Sequence, residues 1–145
     1  MKEKNELILH IYKDAEMGIF TTETLLKDLK EKDNKIKKTL EDTLKEYQIF
    51  KEKTKEILEK ENAEIKENGF ISKMMASMGI NREVNKDNSD AAIADMLVKG
   101  ISMGTLDMQK KIKDYDSELS KKDLNLAKEF LKFQEKSIET YKKFL

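Results

Sequence analysis

Four times along this chain, apolar residues recur in alternating steps of three and four, and no proline interrupts any of the runs. Proline breaks helix interiors by removing a donor and clashing with the preceding turn, so its absence from all 145 residues leaves long helices unopposed. Three-four spacing keeps one stripe of a helix turned toward its partners. The first stripe is Ile8, Ile11, Ala15, Gly18, Thr22, Leu25 and Leu29, widened by Leu7, Ile19 and Leu26. The second is Ile36, Leu40, Thr43, Tyr47, Phe50, Thr54 and Ile57. The third is Ile93, Leu97, Ile101, Gly104, Met108, Ile112, Tyr115 and Leu119. The fourth is Leu124, Ala127, Leu131, Gln134, Ile138, Tyr141 and Leu145, with Phe130, Phe133 and Phe144 adding bulk beside it. These stripes predict an all-α fold: helices over about 5–31, 34–66, 89–117 and 120–144 in a single domain, 1–145.

Local signals place the ends. Asp33 or Asn34 offers a capping oxygen to the second helix, Ser89 or Asp90 to the third, and Ser120 with Asp123 forms a capping box for the fourth. Within the connector 67–88, Gly69 and Gly79 bracket a short amphipathic helix carrying Phe70, Ile71, Met74, Met75 and Met78. That segment is expected to close an open end of the bundle; docking on a partner protein or a membrane surface is the alternative. Helices one and two, and three and four, are joined by only a few residues, so each pair is an antiparallel hairpin. A helix of this length is ~40–50 Å long at ~1.5 Å per residue. The connector is long enough to travel back along it, which favours a four-helix bundle with one long crossover between helices two and three.

Composition narrows the function. Basic and acidic residues balance at 29 each, and lysines alternate with acids on the outer faces, so no field or basic stripe recruits nucleic acid. Arg82 is the sole arginine, which weakens a phosphate-binding reading. Without cysteine there is no disulfide, thiolate ligand or thiol nucleophile. The N-terminal residues enter an amphipathic helix with no signal-peptide core, and no apolar run reaches the length of a transmembrane segment, so the expected compartment is cytoplasmic. Neither a phosphate loop, a dinucleotide fingerprint nor a nucleophile elbow is present.

Leu9-His10-Ile11-Tyr12-Lys13-Asp14-Ala15-Glu16-Met17-Gly18 resembles the opening of small, uncharacterised bacterial ferritin-like domains. Asn88-Ser89-Asp90-Ala91-Ala92-Ile93, followed by Gly100, is similar in the same way. The resemblance implies a ferritin-like bundle with its long crossover. Ferritin-like di-iron proteins take a Glu from each of two helices and Glu-x-x-His from the other two. Carried onto this chain, the acids are Glu16 (or Asp14), Glu46, Asp107 and Glu135. Glu46 is followed three residues on by Ile49 and Glu135 by Ile138; Glu41 and Glu129 lead to Leu44 and Lys132. Both required histidines are missing, and the only histidine, His10, lies in the first helix. The resulting expectation is a non-enzymatic binding or interaction module with no cofactor. Its alternatives are a carboxylate-rich iron or manganese protein, for storage or oxidoreductase chemistry, built on Glu16, Glu46, Asp107, Glu135 and His10, and a homo-oligomeric scaffold or protein partner.

Three groupings carry chemistry worth weighing. His10 and Asp14 share a helix face as two zinc ligands would, yet a lone histidine beside the core stripe reads first as a boundary residue. Gly100 and Gly104, one turn apart and flanked by Met96, Met103 and Met108, read first as a close helix–helix approach. The sharper reading is a pocket for an apolar ligand, with Gly18 facing the same region. Thr21, Thr22, Thr43, Asp107 and Gln134 place polar atoms on or beside the stripes, where they need partners; register-fixing is the first reading, a vestigial metal cavity the second.

Overall fold

In a computed structural model that describes residues 2–65 and 68–145, the stripes wind into five helices, with no strand among the described residues. They are α1 (Lys2–Asp28), α2 (Ile36–Lys60), α3 (Phe70–Lys86), α4 (Asp90–Tyr115) and α5 (Lys121–Lys142). The predicted third and fourth helices are therefore α4 and α5, and the short connector helix is the 17-residue α3. It runs straight through Gly79, where an added Cβ would meet nothing, so that glycine is not a boundary.

Helix ends follow their caps. Ser89 Oγ accepts the Ala92 amide at 3.2 Å and Ser120 Oγ accepts the Asp123 amide at 3.1 Å, as the sequence predicts. The second helix stops at Lys60, short of 66, because Asn62 turns left-handed (φ 53°). The amides of Asn62 and Ala63 then reach back to the Glu59 and Leu58 carbonyls, closing the helix in a Schellman arrangement. At its start α2 has no side-chain cap from the preceding loop, contrary to the expectation for Asp33 or Asn34. Asp90 of α4 supplies the acceptors instead, 3.2 Å from the Lys35 amide and 3.4 Å from the Ile36 amide. Asn34 Nδ2 donates to the Asp90 carboxylate and to the Asn88 carbonyl. The starts of α2 and α4 thus lie side by side.

The most extensive packing is within two pairs, α1 with α2 and α4 with α5. Side-chain pairs fix how the pairs meet. His10 lies beside Asp107 and Glu6 accepts from Tyr115, so α1 and α4 run antiparallel. Thr43 meets Tyr141 and Phe50 meets Phe130, so α2 and α5 do too. α3 runs beside α1, burying Ile80 and Val84 with Leu25, Leu29 and Ile36. It covers a side of the helix rather than closing an end, which corrects the expectation for the connector. Met74, Met75 and Met78 stay exposed, and the side chains of Phe70 and Ile71 lie outside the described residues.

Two apolar clusters form the core. One gathers Leu7, Ile8, Ile11, Tyr12, Tyr47, Phe50, Leu58, Met108 and Phe130; the other gathers Leu25, Leu29, Ile36, Leu40, Ile80, Val84, Ile93, Leu97 and Tyr141. On α5 the buried set is Asp123, Leu126, Ala127, Phe130, Gln134, Ser137 and Tyr141. Leu131 and Ile138 are only partly buried and Leu145 is exposed, so the predicted stripe is corrected by one residue at these points. The Phe130 ring decides it, filling the centre edge-on to Phe50 at 5.1 Å.

Candidate ligand cavity

Where α1, α3, α4 and α5 converge, the packing leaves a cavity of about 580 Å³ that opens to solvent. Small residues of α1, α3 and α4 contribute to it. Gly18, Gly100 and Gly104 all line it, with Ala76 and Gly79 from α3. The glycines differ in what fills the missing side chain. A Cβ on Gly18 would overlap the Tyr47 ring, so that space is already taken by α2. A Cβ on Gly104 would stand 3.1 Å from Gln134 Nε2. At Gly100 a Cβ would meet nothing, and the space stays open. Gly100 is exposed, so its open Cβ position lies at the cavity's mouth, whereas Gly18 packs directly against the Tyr47 ring.

Met17, Ile80, Met96, Leu97 and Ile101 give the cavity an apolar wall. Methionine is unbranched and adaptable, suited to a wall that reshapes around a guest. The volume falls in the ~300–1,000 Å³ range of small-molecule sites.

Polar groups from three helices line the rest of the wall: Thr22 from α1, Tyr47 from α2, and Gln134 and Tyr141 from α5. Thr22 Oγ1 donates back to the Gly18 carbonyl at 2.8 Å and is thereby satisfied. Tyr141 Oη and Thr43 Oγ1 lie 2.7 Å apart in the core, joining α5 to α2. Burial pushes the Tyr141 hydroxyl up to about 12, partly offset by the Thr43 bond. Burial also pushes the Tyr47 hydroxyl far above its ordinary value, with lesser contributions from Tyr141 and the Asp14 carboxylate. Both tyrosines are neutral at physiological pH. Gln134 is different: it is 5% exposed, lines the cavity, and its Oε1 is buried with no hydrogen-bond partner among the described residues. That oxygen is occluded from the open cavity, and leaving it unpaired costs ~1–3 kcal/mol.

A second concavity, about 540 Å³, lies between the end of α2 and the start of α5. Lys53, Glu56, Lys60, Lys122 and Glu129 line it, which makes it a solvated surface rather than a selective site.

The residues singled out for a metal fall in different places. His10 and Asp107 do come together: Nε2 lies 3.2 Å from Asp107 Oδ2 and 3.1 Å from Asp14 Oδ2. Those distances are short, yet neither contact has hydrogen-bond geometry; the one to Asp107 joins α1 to α4 and the one to Asp14 lies within α1. Glu16 is buried but committed, accepting from the Asn68 amide at 2.8 Å and Asn68 Nδ2 at 2.9 Å, with Lys73 Nζ 3.7 Å away. It anchors the connector to α1. Glu46 and Glu135 are exposed. Among the described residues, no group of three or more His, Asp or Glu is arranged to hold a metal ion. Asp107 is half exposed, so it leaves the polar core set, whereas Thr22, Thr43 and Gln134 are buried.

Gly18, Gly100, Gly104, Met96 and Gln134 were legible as candidates from their spacing. The α3 residues Ala76, Gly79 and Ile80, and the inward hydroxyl of Tyr47, were not. Among the described residues, no helix is long and apolar enough to cross a membrane. No protein-family model matches this chain, and no curated protein or solved structure matches it.

Proposed function

We propose that this chain is a non-enzymatic, ferritin-like helical bundle whose work is to bind an apolar small molecule in the cavity between α1, α3, α4 and α5. In this reading α3 is the middle of a long crossover, and the neighbouring starts of α2 and α4, held by Asp90, support it. The observation that supports the binding role is the apolar concavity itself, walled by Met17, Ile80, Met96, Leu97 and Ile101 and left by the glycines that line it. The iron or manganese alternative would need Glu16, Glu46, Asp107 and Glu135 to share a centre, and their separate placements do not support it.

The methionines give a direct test. With 13C-methyl methionine labelling, titration with 1-decanol should shift the Met17 and Met96 resonances saturably and leave the exposed Met75 and Met103 unmoved. Gly100→Leu, which puts a side chain into the space, should abolish the shift while the helical circular dichroism persists. Unmoved cavity methyls, or equal shifts at the exposed ones, would remove the proposal.

A further inference from the structure

The binding reading leaves the ligand's head group open, and the part of the cavity where α1 meets Tyr47 narrows it. Gly18 lets the Tyr47 ring lie on α1, and the carbon bearing the hydroxyl is among the atoms a Cβ there would overlap. Tyr47 is 8% exposed and lines the cavity. Its Oη has no hydrogen-bond partner among the described residues, yet it is not one of the polar atoms sealed from solvent, so it meets the open space. The Tyr141 hydroxyl, by contrast, is paired with Thr43. One helical turn before Gly18, on the same face of α1, stands Asp14. Its side chain is 31% exposed and it lines the same cavity, so its carboxylate is within a ligand's reach. It is also near enough to help keep the Tyr47 hydroxyl protonated.

Charge decides what this pair can receive. Among the described lining residues the acids Asp14 and Glu83 face one base, Arg82, and Arg82 and Glu83 are exposed neighbours on α3. Beside Asp14, His10 Nε2 lies 3.1 Å from its carboxylate and 3.2 Å from that of Asp107. One imidazole between two carboxylates leaves the trio net negative whether or not it carries a second proton. A reachable carboxylate next to a neutral hydroxyl is an acceptor end for a cation, and it repels an anion.

Resting on the cavity's being the binding site, we infer that its ligand is an amphiphilic amine, whose ammonium head donates to the Asp14 carboxylate and to Tyr47 Oη while its apolar body lies along Met17, Met96 and Ile101. Asp14 is thus the specificity-determining residue of the site. It ranks cationic amphiphiles above neutral ones of the same length, and anionic ones last.

The experiment compares three probes sharing one chain length at neutral pH: decylammonium, 1-decanol and decanoate. Dissociation constants come from the Met17 and Met96 methyl shifts, while the exposed Met75 and Met103 methyls report non-specific association. A charge-assisted hydrogen bond to a partly exposed carboxylate gives decylammonium an advantage of about five- to tenfold over 1-decanol. Decanoate should bind more weakly than both. In Asp14→Asn the ammonium advantage should collapse to about equal affinity, with 1-decanol still bound. Tyr47→Phe, which keeps the ring and removes the hydroxyl, should weaken decylammonium about threefold.

Equal affinities for all three probes in the unmodified protein would overturn the inference and leave the cavity reading standing. So would decanoate binding best, or an ammonium preference that persists undiminished in Asp14→Asn. If no probe moves the cavity methyls, both readings fall. The order of the three probes on the unmodified protein is decisive even if Asp14→Asn does not fold.

Discussion

The seam between α2 and α5 and the seam between α1 and α4 are built from opposite materials. The first is aromatic: Tyr47 stands edge-on to Phe133 at 4.9 Å, Phe50 edge-on to Phe130 at 5.1 Å, and Thr43 is bonded to Tyr141. The second carries His10 beside Asp107 and Glu6 bonded to Tyr115 near one end, then Gly18 opposite Gly100 and Gly104, where it opens into the cavity. Large rings seal one side, and absent side chains leave the other for α3 to cover. The contrast teaches that two seams of one helical fold can be packed in opposite ways, one filled by rings and the other left open where glycines line it.

The sharpest way to break this comparison is to hollow out the aromatic side. Phe130→Ala removes a fully buried ring and should cost ~3–5 kcal/mol in urea denaturation. A loss below ~1 kcal/mol would mean that this seam is not what holds the helices together.

Alkaline titration probes the same seam by charge. Unfolded tyrosine ionises near ~10, whereas folded Tyr141 is raised to about 12, so its contribution is fully present below pH ~10 and is lost as pH rises toward 12. At ~1.4 kcal/mol per unit this is on the order of 2–3 kcal/mol, and Tyr47 acts in the same direction. Tyrosinate absorbance and helical ellipticity should therefore change together in this window. Ionisation of all four tyrosines near pH ~10 with the helices intact would contradict it.

One substitution at two glycines sharpens the contrast further. Gly18→Ala drives a methyl group into the Tyr47 ring and should destabilise by ~1–3 kcal/mol. Gly100→Ala meets open space and should stabilise by ~0.5–1 kcal/mol through helix propensity alone. Thermal melts with the same sign for both would erase the distinction between the filled and the open glycine.

How much of this was readable beforehand depends on the range of the deciding interaction. The α1 stripe is buried almost residue for residue, with only Gly18 partly exposed, because its period alone sets which face turns inward. On α5, period allows either Leu131 or Phe130, and the contact with Phe50 chooses the ring. The stripe alone carried α2 on to 66, past its end at Lys60, although the left-handed backbone at Asn62 that stops it is a local property. The cap at its beginning was not legible, since the capping carboxylate is Asp90, 55 residues from Lys35. The cavity was half legible. Gly104 and Gln134 could be placed on stripes, but whether Tyr47 fills the space at Gly18 and Gln134 that beside Gly104 depends on packing between separate helices. Glu46 shows the same limit for charges: its neighbour Tyr47 turns inward, so its carboxylate turns to water.

Asp90 also bears on the order in which the molecule assembles. The leading amides of α2 receive their acceptors only after α4 has been synthesised and docked, so the first hairpin leaves the ribosome with its turn-proximal end unfinished. The contact ties the start of the first hairpin's second helix to the second hairpin. Amide exchange at Lys35 and Ile36 should follow the opening of α4 rather than the fraying of α2, and Asp90→Ala should uncouple the two.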